Sequence, residues 1–172
     1  MNKRLIIILS VIVFVFILVL GFKYSSSVNI SNSVELSKYI SKKDGVENID
    51  ILKTDQKGDF FCVLFSNGKS NKMMILERVP ILNRYVYSGG SYNDSDIGTF
   101  NFNQSSSWSL IVVYGNNMTL GAHSYVFQNN DYLFGKTNLD KYILDIYIIE
   151  DTDNPCSIGH TYDADGNELG QF

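Results

Sequence analysis

Apolar residues run without a break near the start of the chain and come in short bursts over the rest. Leu5 to Phe22 reads LIIILSVIVFVFILVLGF, eighteen residues with no charge and only Ser10 and Gly21 to dilute it. A helix of that length covers roughly 27 Å at about 1.5 Å per residue, close to a ~30 Å hydrocarbon core. Its many Ile and Val residues weaken a helix in water. In lipid, however, a helix is the only way one segment can satisfy its own backbone groups. The pattern predicts a transmembrane helix over 5–22. Lys3 and Arg4 precede it, which assigns residues 1–4 to the cytoplasm by the positive-inside rule and the remainder to the far side. A cleaved signal peptide competes with the anchor. Its apolar core is usually shorter, roughly 7–15 residues, and ends at small residues. Ser25-Ser26-Ser27 is a poor version of such a site, and no Ala occurs before Ala122.

Residues 23–31 are polar and Ser-rich and read as a linker, followed by a domain over 32–172. Asn32 is a candidate helix cap with Glu35 three residues on, Leu36, Tyr39 and Ile40 share one face, and Gly45 supplies a stop. Together they predict a short amphipathic helix over 33–43. Strand signals then take over. They cover Glu47 to Lys53, Phe60 to Ser66 (FFCVLFS, apolar on both faces), Met73 to Val79 and Ile81 to Ser88. Further strands read over Thr99 to Gln104, Trp108 to Tyr114, Ala122 to Gln128, Tyr132 to Gly135, Lys141 to Glu150, Cys156 to Tyr162 and Asn167 to Gln171. Asn67-Gly68 is a hairpin signal, Pro80 a bend, and Gly89 to Gly98 a surface loop. Asp145 would interrupt the buried face of most helical registers, so KYILDIYIIE is read as a strand. The expectation is an α+β fold with a mostly antiparallel sheet and one short helix.

Composition adds location and partners. The net charge of −4 and a pI near 5.0 exclude a nucleic-acid footprint. Charge is uneven. Residues 23–90 carry ten Lys/Arg against seven Asp/Glu, whereas residues 91–172 carry two against eleven. An acidic C-terminal third (Asp140, Asp145, Glu150, Asp151, Asp153, Asp163, Asp165, Glu168) can collect cations or simply keep the surface solvated.

Candidate chemistry is sparse. Cys62 and Cys156 are the only cysteines, and His123 and His160 the only histidines. A thiol enzyme would pair Cys156 or Cys62 with His123 or His160. On one extended strand, though, Cys156 and His160 stand about 13 Å apart. The same four residues make an incomplete zinc pattern, because only one short spacing exists. A disulfide between the two cysteines would close a long loop. Asp163-Ala164-Asp165-Gly166-Asn167 places oxygens at alternate positions as a calcium loop does. Glu168 then stands where the sharp-turn glycine belongs, so a hairpin turn is expected. Tyr85, Tyr87, Tyr92, Phe100, Phe102 and Trp108 would serve either as a ligand platform or, more simply, as core. Sequons begin at Asn29, Asn93, Asn103 and Asn117. No G-x-S-x-G, Walker A, H-E-x-x-H or G-x-G-x-x-G motif occurs, so no cofactor is expected.

The stretch from Tyr132-Leu133-Phe134-Gly135 through Asp145-Ile146-Tyr147-Ile148-Ile149 to Tyr162-Asp163-Ala164-Asp165-Gly166-Asn167-Glu168, in a chain poor in Ala and rich in Ile, Asn, Lys and Ser, resembles small single-pass extracytoplasmic proteins of AT-rich Gram-positive bacteria. That resemblance implies a class and a location but no reaction. The expectation is a membrane-anchored extracytoplasmic binding or accessory module. It would contact the bilayer through residues 5–22 and act with a cell-surface or membrane protein. The thiol enzyme and an acidic metal-binding module are the alternatives.

Overall fold

The computed structural model describes residues 3–93, 96–105, 108–129, 132–150 and 158–172. Among them the chain forms α1 (Lys3–Ser25), α2 (Ser33–Asp44), β1 (Asp50–Lys57), β2 (Phe60–Ser66), β3 (Asn71–Val79), β4 (Arg84–Asn93), β5 (Ile97–Ser105) and β6 (Trp108–Asn116). It continues with β7 (Ser124–Asn129), β8 (Tyr132–Thr137), β9 (Tyr142–Glu150), β10 (His160–Tyr162) and β11 (Glu168–Gln171). The strands make three sheets, ordered β1-β2-β3-β4, β5-β6-β9 and β11-β10-β7-β8, and every pairing is antiparallel. The α+β expectation fits this β-rich fold with its single N-terminal apolar helix.

Strand alternation stacks the sheets. In β2, Phe60, Cys62 and Leu64 face one way. With Met73 and Ile75 of β3 they pack on Leu110, Val112 and Tyr114 of β6 and on Leu144 and Ile146 of β9. The intervening Val63 and Phe65 join Met74 and Leu76 beneath Leu36 and Ile40 of α2. The second sheet repeats the device. Ile111 and Val113, with Ile143 and Ile149, meet Tyr125 and Phe127 of β7. The domain is therefore four layers deep: helix, sheet, sheet, sheet. β2 and β6 are buried on both sides, which is why their apolar runs are continuous rather than alternating. Each fully buried side chain of this size contributes roughly 1.5–3 kcal/mol. At one side of the sandwich, the edge strands β1 and β9 are tied by lysines. Lys53 Nζ donates to the Tyr142 carbonyl at 2.9 Å and to Asp140 Oδ2 at 3.0 Å, and Lys57 Nζ donates to the Ile146 carbonyl at 3.2 Å.

The short helix forms where its signals lie. Asn32 caps it, accepting from the Glu35 N–H, and Gly45 closes it with φ 72°. Glu35 does not turn back on Asn32 as a capping box would. Its carboxylate accepts from the Asn29 N–H at 3.0 Å and pairs with Arg84.

Four segments depart from the sequence pattern. The strand expected over Glu47 to Lys53 is Asp50–Lys57, so the polar residues Thr54 to Lys57 extend the ladder opposite Phe60 to Val63. The strand expected over Ile81 to Ser88 starts only at Arg84, because Val79 to Asn83 form the turn between β3 and β4, whereas the hairpin at Asn67-Gly68 forms as expected, Asn67 Oδ1 accepting from the Lys69 and Ser70 N–H groups. Much of the loop expected over Gly89 to Gly98 is strand, since Gly89 to Asn93 complete β4 and Ile97 and Gly98 open β5. The glycines are there for packing. A Cβ on Gly89 would stand 3.2 Å from the Phe102 ring, and one on Gly90 would stand 2.7 Å from the Met73 carbonyl oxygen. Finally, the segment read as a linker is docked. Val28 is fully buried and bridges Tyr85, with N···O distances of 2.8 and 2.9 Å. Cys156 and the rest of residues 151–157 lie outside the described residues.

Candidate functional site

The residues named for chemistry are scattered through different layers. Cys62 is a free thiol in the core between the two central sheets. Burial, reinforced by the charge of Asp55, pushes its pKa up to about 12. His123 sits just before β7, its N–H donating to the Tyr162 carbonyl at 2.8 Å. His160 lies on β10, with Nδ1 2.9 Å from Glu168 Oε1. A thiol that is neutral at ordinary pH, with no imidazole in its layer, has no route to nucleophilic attack. Any chemistry of Cys156 falls outside the described residues.

Several described carboxylates of the acidic third have partners. Asp140 pairs with Lys53 at 3.0 Å, and Asp145 with Lys136. Asp163 accepts from the N–H groups of Asp165 and Asn167 and from the Asn167 side chain. These bonds, the Asn167 side chain foremost, hold its carboxyl below the usual range. The segment read against a calcium loop is thus a hairpin turn whose first carboxylate is already spent on its own backbone. Among the described residues no three of His, Cys, Asp and Glu stand together as metal ligands would. Of the aromatics, Phe100, Phe102 and Trp108 pack on the central core and Tyr85 on the helix-side core, so these four build the fold rather than a platform. The side chain of Tyr92 lies outside the described residues. Asn117, the last sequon, is buried with its amide bonded to both the Ala122 N–H and carbonyl, and is closed to modification.

Two features remain. One is a shallow groove of about 580 Å³ on the outer face of the third sheet, lined in part by Val126, Leu133, Ile158, His160 and Tyr162. Leu133 is 72% exposed and Ile158 60%.

The other is the place where α1 enters the domain. Helix α1 offers Ile6–Ser25 with a mean hydropathy of 3.0 and none of its window buried. Its end is bound by two elements at once. Arg84, the first residue of β4, donates from Nε to Ser27 Oγ at 2.9 Å and from Nη2 to the Ser27 carbonyl at 3.0 Å. The same guanidinium pairs with Glu35 of α2 and lies 4.5 Å from the centre of the Tyr24 ring, a cation–π contact. Glu35 is held below the ordinary carboxylate range, first by the Asn29 N–H and then by Arg84. Tyr39 on α2 completes the joint. Its hydroxyl donates to the Ser26 carbonyl at 3.2 Å and accepts from the Tyr87 N–H at 2.9 Å. The arrangement can do no bond chemistry; what it can do is fix a helix to a domain. Sequence inspection missed it, because Arg84 is 57 positions from Ser27 and no local spacing links them.

No protein-family model, curated protein or solved structure matches the chain.

Proposed function

We propose that the protein is a single-pass membrane protein with its N-terminus in the cytoplasm and an extracytoplasmic domain that binds or assists a partner at the cell surface. The observation that carries the reading is α1. An apolar helix of this length, buried nowhere, has a natural solvent only in lipid. The joint at Arg84 supports retention of the helix over its removal as a signal, because Tyr24 and Ser26 belong to the folded contacts. The outer groove on the third sheet supports binding over catalysis, as does the neutral, enclosed thiol of Cys62.

Two measurements test this. Membranes from expressing cells should keep the full 19.5 kDa chain through an alkaline carbonate wash; a soluble or shortened product overturns the anchor. Protease added to intact protoplasts should digest the domain, and protection would reverse the orientation.

A further inference from the structure

We infer that the domain is seated in the membrane surface and not held above it: the β3–β4 turn, Val79 to Asn83, enters the bilayer interface beside α1. The inference rests on the anchor proposed above. Leu18, Val19, Phe22 and Lys23 fall on one stripe of α1, and that stripe, with Ser26 just beyond the helix, faces Val79 and Val86 across an open groove of about 490 Å³. The groove between helix and domain thus extends along α1 as far as Leu18. A ~30 Å hydrocarbon core takes about 20 helical residues, and α1 supplies Ile6–Ser25. Were the bilayer to stop short of Leu18, only Ile6 to Ile17 would remain inside it, about 18 Å of helix at ~1.5 Å per residue, which is too short to cross. Leu18 and Val19 are therefore within lipid, and Val79 and Val86 wall the same groove.

The local chemistry agrees. The turn reads Val79-Pro80-Ile81-Leu82, uncharged, with Ile81 73% exposed. Lys23 lines the groove, Arg78 and Arg84 flank the turn in ion pairs with Asp59 and Glu35, and Tyr24 stacks on Arg84. An uncharged apolar tip with ion pairs and a tyrosine at its rim suits the boundary between acyl chains and headgroups. The occupant of the groove is accordingly lipid, with acyl chains filling the space between α1 and β3–β4.

Quenching by brominated lipid tests the depth. The full chain is reconstituted in phosphatidylcholine–phosphatidylglycerol vesicles, and emission from Trp108 alone gives the baseline. Three variants each add one tryptophan: Phe14→Trp within the helix, Ile81→Trp on the turn, and Lys69→Trp. Lys69 lies at the opposite end of β3, about 30 Å away at ~3.3 Å per strand residue. The added emission of Phe14→Trp should fall at least twofold with bromines deep in the chains. That of Ile81→Trp should fall by a similar factor with bromines near the headgroup, and that of Lys69→Trp should not change. Quenching of Phe14→Trp alone overturns the inference and leaves the anchor standing. Equal quenching at positions 69 and 81 shows unspecific adsorption and also overturns it. No quenching at position 14 removes the anchor, and this inference with it.

Discussion

Cys62 illustrates how burial decides reactivity. Its thiol is enclosed between two sheets and pushed up to about 12. In a Cys156→Ala chain, native protein should therefore take up no thiol reagent over hours at pH 8, and denaturant should release one equivalent. Rapid native labelling would show that the core opens there. A second residue-scale test concerns Asp44, whose carboxylate is 3% exposed and accepts two bonds from Lys72 Nζ at 2.8 and 2.7 Å. Asp44→Ala removes two bonds and one negative charge from beside a largely enclosed ammonium. It should cost about 3 kcal/mol in urea unfolding, and a loss below ~1 kcal/mol would mean that water reaches the site. At this scale the sequence was half legible. An apolar run such as FFCVLFS announces that Cys62 is inside. Nothing near Arg84 announces Ser27, Glu35 and Tyr24, because those contacts exist only after α1, α2 and β4 have met.

Elements were legible where local chemistry sets them. Asn32 and Gly45 mark the ends of α2, and both ends form as expected. Asn32→Ala should cost about 1 kcal/mol by loss of the bond to the Glu35 N–H. Gly45→Ala should cost about 1–2 kcal/mol, because φ is 72° there and a Cβ crowds the carbonyl in that region. Both are read from thermal or urea unfolding of the full chain in detergent. The opposite case is Gly89-Gly90, which has the composition of a loop but continues a strand. Those glycines answer to Phe102 on another strand and to the Met73 carbonyl on the neighbouring one, and tertiary contacts leave no mark in a short window of sequence. The outer face of the third sheet makes a further contrast. Leu133→Glu should change stability by no more than about 0.5 kcal/mol, since the residue is exposed. A large loss would make the groove part of the core and not a binding surface.

At the scale of the molecule, pH acts from both ends. Asp140, Asp163 and Glu168 are held below their ordinary values of 3.8, 3.8 and 4.5, through Lys53, Asn167 and His160 respectively. A depressed carboxylate favours the folded state above its unfolded pKa, and that advantage fades as pH falls through the folded value. The Tm should therefore hold at neutral pH and decline below about pH 4.5. Tyrosines act oppositely. Burial raises Tyr39, Tyr114, Tyr125 and Tyr147 above the ordinary value of 10.0. For Tyr125 the bonds to Tyr147 (2.6 Å) and to the Asp145 carboxylate (2.9 Å) add to it. A raised phenol contributes fully below its unfolded pKa and progressively less above it. Tm should then fall as pH climbs past 10, with phenolate absorbance from these four appearing only as the protein unfolds. Early titration of all eleven tyrosines in the native state would contradict their enclosure. The layering itself was only partly legible. Strand count and antiparallel order follow from the pattern of turns, but the partition into three sheets depends on which apolar faces find each other.

The joint at Arg84 has one more consequence. A domain hung on a free spacer reorients independently of its anchor, whereas one clasped by Arg84, Tyr39 and Val28 tumbles with it as a single particle. Amide relaxation in a nanodisc should accordingly report one slow correlation time for α1 and the sheets alike. In the membrane-anchored form proposed above, any face the domain displays is offered to neighbours in the same membrane at one fixed tilt. Encounter reduces to sliding in a plane and turning about one axis.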